Sequence, residues 1–439
     1  MHVPQLLRVA TGMLLVGSAT ACNEADRISD PSASLATGSP TSGQFEFTPL
    51  PTSAVCTNGG NPTQPFVLPA GYTQTIIARE GDGGTTDLWD MNTQNETGPN
   101  AGRFIYRTHE VTGNGQVSVT DLETGITRVL ATRPDWERFD GLVWTPWGTI
   151  LAAEETGARA FPDPNVPQAQ AGLVYEIDPA TGAAVARPAI GSRSHEGMRF
   201  DPQGNLYGIS ESSPPGGGYI YRFVPDQPGD LSSGQLYVLK LVTPNADRTG
   251  EAVWVPLDRA LSQVNSDVQA TAIQATGYSR PEDVEITTST GNNRGGANVL
   301  YVAVTGEDRV LGIDLREPQG GGEHATAFVY TYVRDGVNAP ADFDLPDNLA
   351  LDKNGNLFIT EDPGTATARQ LGDDIWVAPP SNGGQHELAQ PIVRFASLTD
   401  CAAEPTGIYF DLRGWALYVH AQHRGGDGRD LDVKIERIE

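Results

Sequence analysis

Cysteine is scarce: the 439 residues contain three. That excludes a disulfide scaffold and leaves room for one bridge and one odd thiol. Lysine occurs only at Lys240, Lys353 and Lys434, so 26 of the 29 basic residues are Arg, a bias that a GC-rich genome produces by itself. Positive charge is short overall, with 29 Lys+Arg against 55 Asp+Glu and a net charge of −26. A surface this acidic repels phosphate backbones, which excludes generic nucleic-acid binding. No G-x-S-x-G elbow, P-loop or H-E-x-x-H zinc helix is present, so those hydrolase and NTPase chemistries are excluded as well. The only marked apolar run, residues 5–21, is too short and wrongly flanked for a membrane span. In contrast, 50 Gly and 32 Pro with 38% hydrophobic residues describe a turn-rich β protein, long enough to bury a large core.

The apolar run follows a single Arg8 and ends in small residues, the layout of a secretory signal over 1–21. Ala19-Thr20-Ala21-Cys22 resembles a bacterial lipobox, which makes Cys22 the lipidated mature N-terminus. Residues 22–65 are rich in Ser, Thr, Pro, Gly and Asn without apolar periodicity, and read as a flexible tether. The expected location is therefore the bacterial cell envelope, periplasmic or surface, with membrane contact through the lipid only. Export also means an oxidising compartment, in which Cys56 and Cys401 are able to pair.

From about Phe66 the chain repeats. Hairpins with Gly-containing turns begin at Asp140 (GLVWTPWGTILAAEE), His195 (EGMRFDPQGNLYGISE), Glu282, Asp347 (NLALDKNGNLFITED) and Glu404 (PTGIYFDLRGWALYVHAQH), with a degenerate copy ending at Glu110. Second strand pairs lie between them. A period of roughly 50 to 60 residues with four strands each predicts an all-β, six-bladed β-propeller over 66–439. After the sixth hairpin only one strand remains, so GYTQTIIARE at 71–80 is expected to close the last blade.

In that architecture the residue that opens the first strand of a hairpin and the one that leaves the second meet at one mouth of the central channel. The scheme gathers His109 and Glu110; Asp140, Glu154 and Glu155; His195, Glu196 and Glu211; Arg280, Glu282 and Asp283; Asp347, Asn348, Glu361 and Asp362; and Glu404, Gln422 and His423. So many carboxylates in one funnel require raised pKa values or hard cations, and oxygen-rich sets favour Ca²⁺, Mg²⁺ or Mn²⁺. Asp201, Asp352 and Asp411 lie in D-x-x-G turns and read as turn caps.

The segments TPWGTILAAEE, SHEGMRFDPQGNLY, YSRPEDVEI, FDLPDNLALDKNGNLFITED and CAAEPTGIYFDLRGWALYVHAQHRG resemble blades of PhoX-type alkaline phosphatases. The resemblance runs from about Phe104 to Gly425. It implies a calcium and iron centre that hydrolyses small-molecule phosphate monoesters. Carried over by position, it implies Glu155, Glu196, Glu282 and Glu404 as metal ligands, with Glu154, Asp347 and Glu110 beside them, and Arg280 as the group that holds the phosphate. Iron-binding relatives carry a cysteine where this chain has Ala153, so the resemblance supports calcium and puts iron in doubt. Two other readings stay open: a calcium-dependent lactonase or esterase propeller, and a non-catalytic propeller lipoprotein stabilised by calcium.

Overall fold

Alternating apolar and polar residues around D-x-x-G turns fold as hairpins, and the computed structural model of the chain consists almost wholly of them. It describes residues 47–287, 298–316, 325–362, 370–383 and 385–438. The signal segment 1–21, Cys22 and the first half of the tether lie outside the described residues. The turns work as their sequence implies. Asp201 Oδ1 accepts from the N–H groups of Gln203 and Asn205 at 3.0 and 2.8 Å, and Asp352 Oδ1 from those of Asn354 and Asn356 at 2.8 Å each.

The fold is an all-β propeller. Six inner strands, Trp89–Gln94, Phe139–Trp144, His195–Phe200, Pro281–Ile286, Pro346–Leu351 and Glu404–Phe410, follow one another around the channel, each packed on the next and the last on the first. From each inner strand an antiparallel sheet runs outward. Among the described residues the sheets number five, where six four-stranded blades were expected. Three have four strands, one has five, and one has nine. The nine-stranded sheet arises because Gly250–Pro256 pairs on one side with Asp230–Leu241 and on the other with Thr326–Arg334, joining two radial sheets at their outer edges. That strand buries Ala252 and Trp254 against Tyr207 and Leu239, and it covers two sheet edges that would otherwise be open. The one α-helix of the described residues, Arg259–Ala272, follows directly. Asp258 caps it by accepting from the N–H groups of Ala260 and Leu261.

The ring closes where Tyr72–Arg79 pairs antiparallel with Leu431–Arg437. Within the segment expected to be a tether, the chain contacts the propeller from Phe47 onward. Phe47 meets Tyr72 and Phe395 edge-on, and Leu50 N–H donates to Arg394 O at 3.1 Å. Cys56 and Cys401 are joined by a disulfide with Cα atoms 5.0 Å apart. Among the described residues no helix is long and apolar enough to cross a membrane.

Candidate metal centre

All six inner strands share one irregularity. Two of their residues face a single residue of the neighbouring strand, between the pairs Trp89/Asn92, Phe139/Leu142, His195/Met198, Pro281/Val284, Pro346/Leu349 and Thr406/Tyr409. These are β-bulges, which bend a strand and re-aim the extra side chain. The first bulge residue is Asp90, Asp140, Glu196, Glu282 and Asp347 in five strands, and Gly407 in the sixth. Repetition of an acid at one bulge position is how this backbone brings carboxylates to the channel mouth.

A second set of acids follows the neighbouring strands. The N–H groups of Glu110, Glu155, Glu211 and Asp362 donate to the carbonyls of Leu88, Arg138, Ser194 and Leu345 at 2.8 to 3.1 Å. Thr305 does the same to Arg280. Leu88, Arg138, Arg280 and Leu345 have φ between 39° and 57°, a left-handed conformation that non-glycine residues rarely adopt and that concentrates at functional sites. In the sixth repeat the acid is Glu404, paired with His423 Nε2 at 3.3 Å.

These groups act on one another. Carboxylate oxygens of Asp90, Glu110 and Asp140 lie within 4.8 Å of each other. Burial, then the charge of Glu110, raises Asp90 well above the usual carboxylate range; burial, then Asp90, does the same to Asp140. Burial followed by Asp140 and Glu282 raises Glu196, and burial followed by Glu282, Asp90 and Glu404 raises Asp347. Glu155 is pushed up to about 9 by burial and Glu110. Glu404 is raised by burial and then Asp362. For Glu282, burial outweighs the neighbouring Arg280. The common cause is desolvated like charge with few cations among it.

Arg280 is the principal cation at the mouth. Its Nε donates to Glu211 Oε1 and its Nη1 to Asp362 Oδ2, both at 3.0 Å, while Nη2 pairs with Glu282 Oε1 at 2.9 Å. Three of its five donors thus face carboxylates, which leaves two. The side chain is 42% exposed.

Glu154 stands apart from this set. Strand alternation turns it away from Glu155, and it is fully buried within its own sheet. Oε1 accepts from Glu137 N–H at 3.0 Å, Oε2 from Leu173 N–H at 2.9 Å, and Arg159 closes the ion pair. Burial pushes its carboxyl up to about 7 against the pull of Arg159. Glu361 is held likewise by the N–H groups of Asp344 and Asp374 and by the Trp376 indole. Both glutamates brace loops and do not reach the channel. His109, His195 and His420 are buried and turned to backbone carbonyls, and burial lowers all three, so they are neutral packing groups. Asp90 is the acid that sequence reasoning missed. Its strand reads WDMNTQ, without apolar alternation, but the signal was a bulky residue followed by an acid in five of the six repeats: Trp89-Asp90, Phe139-Asp140, His195-Glu196, Pro281-Glu282, Pro346-Asp347.

The donor set fits hard cations. It is carboxylate oxygen, and Oδ1 of Asp140 and Oε1 of Gln422 are buried without a hydrogen-bond partner among the described residues. Ala153 lies among Val143, Leu151 and Met198 in an apolar cluster and offers no ligand atom, and Cys401 is held in the disulfide. A separate cleft lined by Gln94, Leu412, Trp415 and Lys434 lies at the turn end of the sheets, away from these acids.

The sequence model of the family described as alkaline phosphatase PhoX matches residues 143–333. Among solved structures, Pseudomonas fluorescens PhoX in complex with vanadate is 18% identical, with a TM-score of 0.66, over 89% of this chain and 98% of that one. A gluconolactonase from Xanthomonas campestris is 14% identical, with a TM-score of 0.49, over 88% and 98%. No curated protein matches the sequence. Residues 143–333 thus match the model of alkaline phosphatase PhoX, the family that the chain's motifs resemble.

Proposed function

We propose that this protein is a metal-dependent phosphatase that hydrolyses phosphate monoesters at the carboxylate-lined mouth of a propeller. The nine-stranded sheet counts as two blades joined through Gly250–Pro256, which makes six. The observation that carries the reading is the acid repeated at one bulge position in five of six inner strands. Asp90, Glu110 and Asp140 are close enough to share one ion. Glu155, Glu196, Glu282, Asp347 and Glu404 supply the remaining ligands. We assign calcium, because the set is all oxygen and lacks the thiolate expected for iron. When bound, calcium supplies positive charge beside the phosphoryl oxygens.

Arg280 binds the phosphate. Its guanidinium is oriented by Glu211, Glu282 and Asp362, and its two remaining donors suit two oxygens of one phosphoryl group. The left-handed backbone at Arg280, fixed by the bond from Thr305 N–H, holds that plane at the mouth. The substrate test is phosphate release from p-nitrophenyl phosphate set beside hydrolysis of a lactone panel, both in Ca²⁺. Phosphate release without lactone turnover supports the phosphatase. Lactone turnover alone, or neither reaction, overturns it.

We also propose export with lipidation at Cys22, which the Cys56–Cys401 disulfide fits because such bridges persist in oxidising compartments. Cell fractionation checks this: the unsubstituted protein is expected with membranes and Cys22→Ser in the soluble fraction, and equal fractionation overturns it.

A further inference from the structure

A second group of acids stands at the seam where the ring closes. Glu80 follows the closing strand Tyr72–Arg79, Asp430 precedes the last strand Leu431–Arg437, and Asp87 lies just before the inner strand Trp89–Gln94. Main-chain bonds fix their positions. Glu80 N–H donates to Asp430 O at 3.0 Å, and Asp430 N–H to Glu80 Oε2 at 3.3 Å. Trp89 N–H donates to Asp430 Oδ2 at 2.9 Å. Asp430 therefore ties the last strand to two neighbouring segments near the start of the propeller, 350 and 341 residues earlier in the chain.

One carboxylate oxygen from each of Glu80, Asp87 and Asp430 lies within 4.8 Å of the other two. Ca²⁺ holds its oxygens at about 2.4 Å, so atoms at this spacing are able to share one ion. Asp430 is fully buried, and its Oδ1 has no hydrogen-bond partner among the described residues. The nearby guanidinium of Arg429 is half exposed and bonded to Asp427, so it does not fill the cluster. We propose a calcium site formed by Glu80, Asp87 and Asp430, distinct from the Asp90, Glu110 and Asp140 group, that clamps the closing strands to the first inner strand. Without a cation, three carboxylates repel one another beside the strand pairing that closes the ring, Tyr72–Arg79 with Leu431–Arg437.

The test is the calcium content per chain after dialysis against buffered free Ca²⁺, compared for the unsubstituted protein, Asp87→Asn and Asp430→Asn. Asp87 is exposed, so its substitution keeps the test open if Asp430→Asn fails to fold. Asp87→Asn is expected to lose about one calcium per chain and part of the Ca²⁺-dependent rise in Tm, with p-nitrophenyl phosphate hydrolysis in saturating Ca²⁺ unchanged. A calcium content equal to that of the unsubstituted protein overturns the site. The count does not depend on activity, so a protein without phosphatase activity fails the functional proposal and leaves this one standing.

Discussion

Arg280 combines a left-handed backbone with a side chain shared among three carboxylates, so its guanidinium plane is set before any ligand arrives. Lysine keeps the charge and loses the fork. Arg280→Lys is therefore expected to lower kcat/KM for p-nitrophenyl phosphate by roughly 10- to 100-fold, the loss of one strong charge-assisted contact. Retention of full activity would remove Arg280 from phosphate binding. The adjacent pair Glu154 and Glu155 shows what a sequence hides at this scale. Both are acids at the end of a hairpin, yet alternation sends one to Arg159 and the other to the mouth. Glu154→Gln leaves buried Arg159 without its charge partner, so a stability loss of about 3 kcal/mol is expected, seen as a lower Tm with calcium content unchanged. A loss of calcium instead would return Glu154 to the metal site.

At the scale of elements, the six bulges place the chemistry, and glycine makes them compatible with close packing. A Cβ on Gly197 would lie 1.7 Å from Asp283 Oδ1, whose other oxygen accepts from Leu349 N–H at 2.9 Å in the next inner strand. Gly197→Ala is expected to cost about 1–3 kcal/mol and to lower Tm, since Asp283 must move and carry its neighbour Glu282 with it. An unchanged Tm would show that the bulges tolerate side chains there. The hairpins, their D-x-x-G turns and the closing strand were legible because alternation and turn chemistry are local. The nine-stranded sheet was not, because pairing between Gly250–Pro256 and Thr326–Arg334 is decided by tertiary contact. The helix Arg259–Ala272 also escaped, since only Ser262, Ser266 and Ala270 are buried on it and none is strongly apolar. Asp90 was hidden for the same reason: a polar inner strand has no apolar rhythm to read.

For the whole molecule, the net charge of −26 matters less than where a minority of it sits. Glu155 holds its proton to about pH 9 in the fold, through burial and Glu110, whereas an unfolded glutamate releases it near pH 4.5. Between those values the folded state binds more protons, so the stability of the metal-free protein falls as pH rises. Calcium replaces those protons with a bound charge and removes the fall. Melting temperatures in EDTA are therefore expected to drop steadily from pH 5 to pH 9, and to rise on adding Ca²⁺ most strongly at pH 9. A flat profile in EDTA would mean that the mouth acids are not coupled to folding.

The central claim is that cations held by these carboxylates are needed for phosphate-ester hydrolysis. Hydrolysis of p-nitrophenyl phosphate by the purified protein, before chelation, after removal of EDTA, and after addition of Ca²⁺ without iron, tests it most directly. The expected result is activity lost on chelation and restored by Ca²⁺ alone. Phosphate release that is indifferent to chelation, or absent under every metal condition, would contradict it.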